Sequence, residues 1–204
     1  MAPVKSRSNL SLRAERAGVT KSRIAESARR LFSARGYGAT TLAEVADEAG
    51  VAVQTIYAVF GSKAGILRVL REGLLHQPEA ARLYEAAITE PNSARKLELF
   101  AASIRHRWET GQDIVSIHEQ AAASDPELRK EVDAVLGTRR DGIRRLAHAL
   151  EPALAPGIPR AAAAAILDAL TLAEVYRELV QIHAWSSDDF EAWLAAVLKN
   201  QLLP

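Results

Sequence analysis

Two short apolar-periodic segments hinged on one glycine, Thr41 to Gly50 and Val51 to Phe60, constrain this chain more than any other feature. Thr41 can accept from the backbone N–H of Glu44 while Glu44 reaches back, a capping box that opens a short helix with Leu42, Val45, Ala46 and Ala49 inward. Gly50 ends it where the left-handed conformation carries no Cβ penalty. A second short helix runs from about Ala52 to Phe60, with Val53 or Ile56 and Val59 or Phe60 facing inward. Small Ala46 suits a close crossing, and Val51 and Ile56 flank the turn. That is the pattern of a helix-turn-helix. Upstream, Ile24, Ala28, Leu31 and Phe32 recur at helical spacing from Thr20, and Gly36 and Gly38 supply the stop, so a first helix of about 16 residues braces the pair.

The remainder reads as helix too. Aromatics make up only 5% of the chain while alanine and leucine abound, and Val/Ile/Thr runs bounded by Gly or Pro are scarce, which disfavours a sheet-rich fold. Beyond Pro78 the punctuation predicts helices over about 79–89, 93–110 (closed by Gly111), 112–123, 126–150, 160–184 and one capped by Ser186 or Ser187. Pro152, Pro156, Gly157 and Pro159 mark the clearest loop. The 160–184 segment is apolar nearly all round in its first half. Phe190, Trp193, Leu194, Val197 and Leu198 stripe the final helix at helical spacing. Two such helices offer more apolar surface than a small chain needs for itself.

Charge divides the molecule. Residues 1–76 carry 12 basic and 6 acidic side chains, whereas residues 77–204 carry 14 and 19. A basic N-terminal third on an acidic body is the footprint of a module for polyanions joined to a module with another task. Chemistry at other sites is hard to find. There is no cysteine, hence no thiolate nucleophile, disulfide or Cys-ligated metal. His118-Glu119 begins a zinc-helix string, but Ala122 stands where the second histidine is needed, and no P-loop, dinucleotide turn or nucleophile elbow occurs. We therefore expect no enzyme, no cofactor and no metal. The apolar run Ala161 to Leu167 stops at Asp168, short of the roughly 20 residues that span a bilayer. The basic N-terminus lacks the apolar segment of a secretory signal, so the expected compartment is the cytoplasm, without membrane association.

The stretch Arg23 to Leu70 resembles the DNA-binding domain of the tetracycline-repressor (TetR/AcrR) family of bacterial transcription regulators. The likeness is carried by Ala28, Phe32, Gly36, Tyr37, Thr40, Thr41, Val45, Ala46, Gly50, Val51, Thr55, Ile56, Tyr57, Phe60, Lys63 and Leu67. It implies an all-α chain in which residues 1–19 form a flexible basic arm. Residues 20–76 would be a three-helix helix-turn-helix DNA-binding domain with its connecting helix, and residues 77–204 a helical ligand-binding and dimerisation domain. Thr41, Tyr57 and Lys63 would hold phosphates, Lys63 beside a helix N-terminus capped by Ser62. Bases would be read by Ala52, Val53, Gln54, Thr55 and Ala58, with Gln54 alone able to grip adenine bidentately. Lys5, Arg7, Arg13 and Arg16 of the arm could follow a groove or the phosphates. Phe100, Ile104, Trp108, His118 and Tyr176 combine apolar bodies with polar tips and are the candidates for a small-molecule pocket. The resemblance further implies a homodimer through the last two long helices, reading a pseudo-palindromic operator in double-stranded DNA and released by a small-molecule effector, as repressors do. A DNA-binding adaptor or architectural protein, whose C-terminal domain binds another protein, is the rival reading.

Overall fold

The computed structural model describes the backbone of residues 5–204 and side chains from Glu15 onward. Among the described residues there are helices and no strands: α1 Lys5–Arg35, α2 Leu42–Ala49, α3 Val53–Phe60, α4 Lys63–Leu75, α5 Pro78–Thr89, α6 Ser93–Ala122, α7 Pro126–Leu150, α8 Arg160–Leu170, α9 Ala173–Tyr176 and α10 Ser187–Leu202. Local signals set most boundaries. The capping box of Thr41 and Glu44 opens α2, and Gly50 closes it at φ 62°. Asp125 accepts from the N–H groups of Glu127 and Leu128 with Pro126 in the first turn of α7. Ser186 and Asp189 make a second capping box at α10.

Three expected boundaries do not hold. The first helix does not begin near Thr20: α1 starts at Lys5, so residues 5–19 of the expected flexible arm continue the helix. Leu10, Leu12, Arg13, Ala14, Glu15, Arg16 and Ala17 are strong helix formers, and a lone Gly18 costs only about 1 kcal/mol against alanine. The side chains of Lys5, Arg7 and Arg13 lie outside the described residues. Gly111 does not close a helix either; α6 runs through it for 30 residues. A Cβ at Gly111 would run into the Leu74 side chain of α4, so the glycine is a hole that admits a leucine knob.

The third departure is in the expected helix 160–184, which breaks after Leu170 although neither glycine nor proline stands there. Long-range hydrogen bonds do the breaking. Trp108 Nε1 donates to the Thr171 carbonyl (3.1 Å), and Arg139 Nη2 donates to the Asp168 carbonyl (3.0 Å) and to Thr171 Oγ1 (2.8 Å). With its terminal carbonyls satisfied from α6 and α7, the chain is free to turn at Leu172. It resumes as α9 and a π-helical turn over Arg177–Ile182.

The apolar residues form two clusters. One, in the body, gathers Phe100, Ile104, Trp108, Leu146, Leu150, Leu167, Tyr176, Phe190, Leu194 and Leu198. The other holds Ile24, Phe32, Val45, Ile56, Phe60, Leu67, Leu70 and Leu74 of the N-terminal head together with Ile114, Ile117 and Ala121 of α6 and Leu128 of α7. The head therefore has no core of its own that stops at residue 76. Two ionic struts reinforce the joint: Arg29 of α1 to Asp113 (2.6 Å) and to the Thr110 carbonyl (2.7 Å), and Arg68 (2.7 Å) with Arg71 of α4 to Glu131 of α7.

Candidate nucleic-acid interface

Helix α3 buries Ile56 and Phe60 and leaves Ala52, Gln54, Tyr57, Ala58 and Val59 on the surface, with Val53 and Thr55 half-buried. Of the two inward alternatives in each turn, the helix takes Ile56 and Phe60; Val59 is 40% exposed. Tyr57, at 55% exposure, is a large aromatic standing in water with no partner among the described residues. The outward face is thus uncharged, with Gln54 its only side-chain amide, flanked by a phenol and two methyl-bearing residues. Such a face offers bidentate hydrogen bonding at one point and apolar contact elsewhere.

The three expected phosphate ligands sit differently from one another. Thr41 is exposed at the start of α2, but its hydroxyl donates to Glu44 Oε2 (2.9 Å) while accepting from the Glu44 N–H (3.2 Å). The same carboxylate takes the Thr41 N–H (2.7 Å), and these bonds hold Glu44 below its ordinary pKa. Lys63 is not a free ammonium. Its Nζ donates to the Thr40 carbonyl (2.7 Å) and lies 4.4 Å from the Tyr37 ring centroid, and burial pushes its pKa down against a weaker pull from Glu44. It fastens the end of α1 and the start of α2 to the start of α4. Replacing Lys63 with Met removes this donor and should cost about 1–3 kcal/mol, read as a lower urea midpoint at unchanged slope. Two further cations of the head are also paired, Arg35 with Glu44 (2.9 Å) and Arg30 with Glu48 (3.0 Å).

Gly65 went unnoticed in the sequence. It lies in the first turn of α4, where its N–H is held by Ser62 Oγ (3.0 Å), and a Cβ on it would collide with the Phe60 backbone carbonyl. The corner between α3 and α4 closes only over a glycine, and that corner sets the pose of α3 against the N-terminus of α4. The signal was available in the Phe-Gly-Ser-Lys-Ala-Gly spacing, but helical propensity alone reads Gly65 as a weakness.

Residues 24–70 match the profile described as "Bacterial regulatory proteins, tetR family". Over this segment the chain is similar to the N-terminal domain of tetR-family regulators. The matched segment is the helix-turn-helix head, and the chain as a whole has the fold seen in solved tetR-family regulators. Solved structures of similar fold cover nearly the whole chain. NalD, the secondary repressor of the MexAB-OprM multidrug efflux pump in Pseudomonas aeruginosa, aligns over 93% of this chain and 98% of its own at 22% identity, TM-score 0.72. SmeT in its complex with triclosan aligns over 91% and 92% at 19% identity, TM-score 0.71. PfmR, a TetR family transcriptional regulator from Thermus thermophilus, aligns over 88% and 96% at 21% identity, TM-score 0.68. No curated protein matches the chain.

The five candidate pocket residues are not brought together as one group. Phe100, Ile104, Trp108 and Tyr176 pack in the body core, where Tyr176 meets Phe190 edge-on at 4.9 Å and shares a hydrogen bond with Ser187 (2.9 Å). His118 lies apart, facing α4. It is buried, its Nδ1 is 2.8 Å from the Ile114 carbonyl, and its Nε2 has no partner. Burial holds its pKa below the ordinary value of 6.5, with Arg71 adding to the effect and the Ile114 carbonyl and Glu131 opposing it. The unfolded chain thus binds the proton more readily than the folded one. Stability attached to His118 is present above pH 6.5 and is lost as pH falls from there toward the depressed folded value. A His118→Leu variant should melt with a flatter pH dependence over that window than the parent.

Proposed function

We propose that the chain is a ligand-responsive transcriptional repressor that binds a pseudo-palindromic operator as a homodimer and leaves it when a small molecule enters the C-terminal domain. The observation that carries this reading is a tetR-family head whose apolar core is completed by the body's own helices α6 and α7. A shift of α6 against α4 then cannot leave the head where it was, because Leu67, Leu70 and Leu74 share one cluster with Ile114 and Ile117.

For dimerisation, Ala165 and Ala169 of α8 and Ala192 and Ala196 of α10 are exposed, and Ile166, Trp193 and Val197 are half-buried. This apolar strip on adjoining helices suits an isologous four-helix contact with a second copy. Two heads would then meet successive turns of one duplex face. At each, Gln54 reads a base, with Ala52, Val53, Thr55 and Ala58 in apolar support, while Thr41 and Tyr57 touch phosphates. Lys63 has three N–H donors, two of them directed at the Thr40 (2.7 Å) and Gly38 (3.5 Å) carbonyls, so a phosphate can join at the third without breaking the internal bonds. That a structure of similar fold carries triclosan supports a small-molecule effector here. Selection of random duplexes by the purified protein should enrich an inverted repeat with half-sites about one helical turn apart. Gln54→Ala should relax one position in each half-site. Enrichment of no sequence at moderate salt overturns the reading.

A further inference from the structure

Arginines in the body have acidic partners almost everywhere. On α6, Arg105 pairs with Glu109 (3.2 Å) and Asp188 (2.9 Å), and on α7 Arg139 pairs with Asp168. Among the described residues of the body, Arg107, Arg129 and Arg177 make no ion pair, and Arg107 alone of the three is not exposed. Its guanidinium is partly buried and makes one hydrogen bond, from Nη1 to the Leu74 carbonyl in the last turn of α4 (3.3 Å), and no carboxylate stands near it. Burial pushes its pKa below the ordinary arginine value with nothing opposing. Arg139 is pushed down by burial and by the like charges of Arg140 and Arg107. A partly buried guanidinium without an anion is costly, and its planar fork is shaped to accept a carboxylate or phosphate. Its remaining N–H groups are not sealed in: none of its nitrogens is among the buried atoms lacking partners. At 3- and 4-residue spacing Arg107 shares one face of α6 with Phe100, Ile104 and Gly111, the face turned toward the body core and α4.

Building on the ligand-responsive reading, we propose that the effector is an amphipathic organic acid whose anionic group is held by Arg107 while its apolar part enters beside Ile104 and Trp108. Those two side chains belong to the body core and flank Arg107 along α6. A carboxylate accepts two parallel N–H groups from the guanidinium, a stronger arrangement than one long bond to a carbonyl. Capture therefore draws Arg107 away from Leu74 and leaves the C-terminal carbonyl of α4 without its cation. Leu74 is also the knob seated over Gly111, so the same event loosens the grip of α6 on the helix that carries the head.

Calorimetric titration of the full-length protein with decanoate, decanol and decylamine tests this. Decanoate should bind at least tenfold more tightly than decanol, and decylamine more weakly than either. Arg107→Gln should abolish the preference for the acid while leaving decanol affinity within twofold, and Arg107→Lys should keep part of it. The melting temperature of Arg107→Gln should not fall, because a buried charge without a counter-ion has been removed. A guanidinium that serves only to cap α4 would instead lower the melting temperature and leave the acid preference unmoved, which overturns the proposal. Equal binding of all three probes, or preference for the amine, overturns the acid assignment and leaves the ligand reading standing. Binding of none overturns both.

Discussion

Gly65→Ala should lower the stability of the head by about 3 kcal/mol or more and abolish operator binding, although helix propensity alone predicts the opposite sign. Alanine in place of glycine inside a helix ordinarily gains about 1 kcal/mol. Gly65 has ordinary helical backbone and Ser62 caps its N–H, so nothing in α4 itself resists the change. Resistance comes from the preceding helix. The added methyl group would meet the Phe60 carbonyl, and Phe60 is fixed because its ring lies in the head core. A flexible side chain could swing aside; a carbonyl moves only with its helix. The α3–α4 corner must open, and Tyr57 and Gln54 then tilt relative to the N-terminus of α4. Thermal melting of the variant decides the matter: a melting temperature equal to or above the parent's would show that the corner can relax, and would remove Gly65 from the determinants of the DNA-binding pose.

The same contrast between local and long-range determinants runs through the chain. The helix-turn-helix was legible because its signals are local: a threonine and a glutamate three residues apart, a glycine at positive φ, and apolar residues at 3 and 4 spacing. The ends of α7 and α10 were legible for the same reason. What could not be read was decided by atoms far away in sequence. Gly111 looks like a stop and is a socket, because Leu74 from another helix fills it. Thr171 looks like a continuing helix and is a break, because Trp108 and Arg139 reach over to its carbonyl and hydroxyl. Lys63 looks like a ligand for phosphate and is also a clasp on Thr40, and nothing in its flanking residues announces the carbonyl it will find. Propensity and capping say where a helix can start; they do not say which side chain of another helix will arrive to overrule them.

Two neighbouring substitutions in α10 should fail in different ways, and the difference tests the proposed dimer contact. Leu194 is fully buried, packed in the body core where α10 crosses α6 and α8. Leu194→Glu buries an unpaired carboxylate and forfeits a leucine's worth of packing, a combined cost of at least about 4 kcal/mol, which should leave the body unfolded. Val197 is one turn further along and half-buried at the rim of the exposed strip formed with Ala196 and Ala192. In the monomer a glutamate there can point its carboxylate into water, so the fold should survive with an unchanged helical spectrum. In the proposed dimer the same carboxylate would enter a two-fold contact, bringing like charges from the two copies into an apolar seam. Self-association should weaken by about 2–4 kcal/mol, a factor of roughly 30 to 1,000. Sedimentation should then show a folded monomer at micromolar concentration, and melting should lose the dependence on protein concentration that an obligate contact imposes. Operator affinity should drop with it, since each head alone grips only half a site. If Val197→Glu sediments as the parent does, the strip on α8 and α10 is not where two copies meet, and the spacing of the two recognition helices must be set by another face.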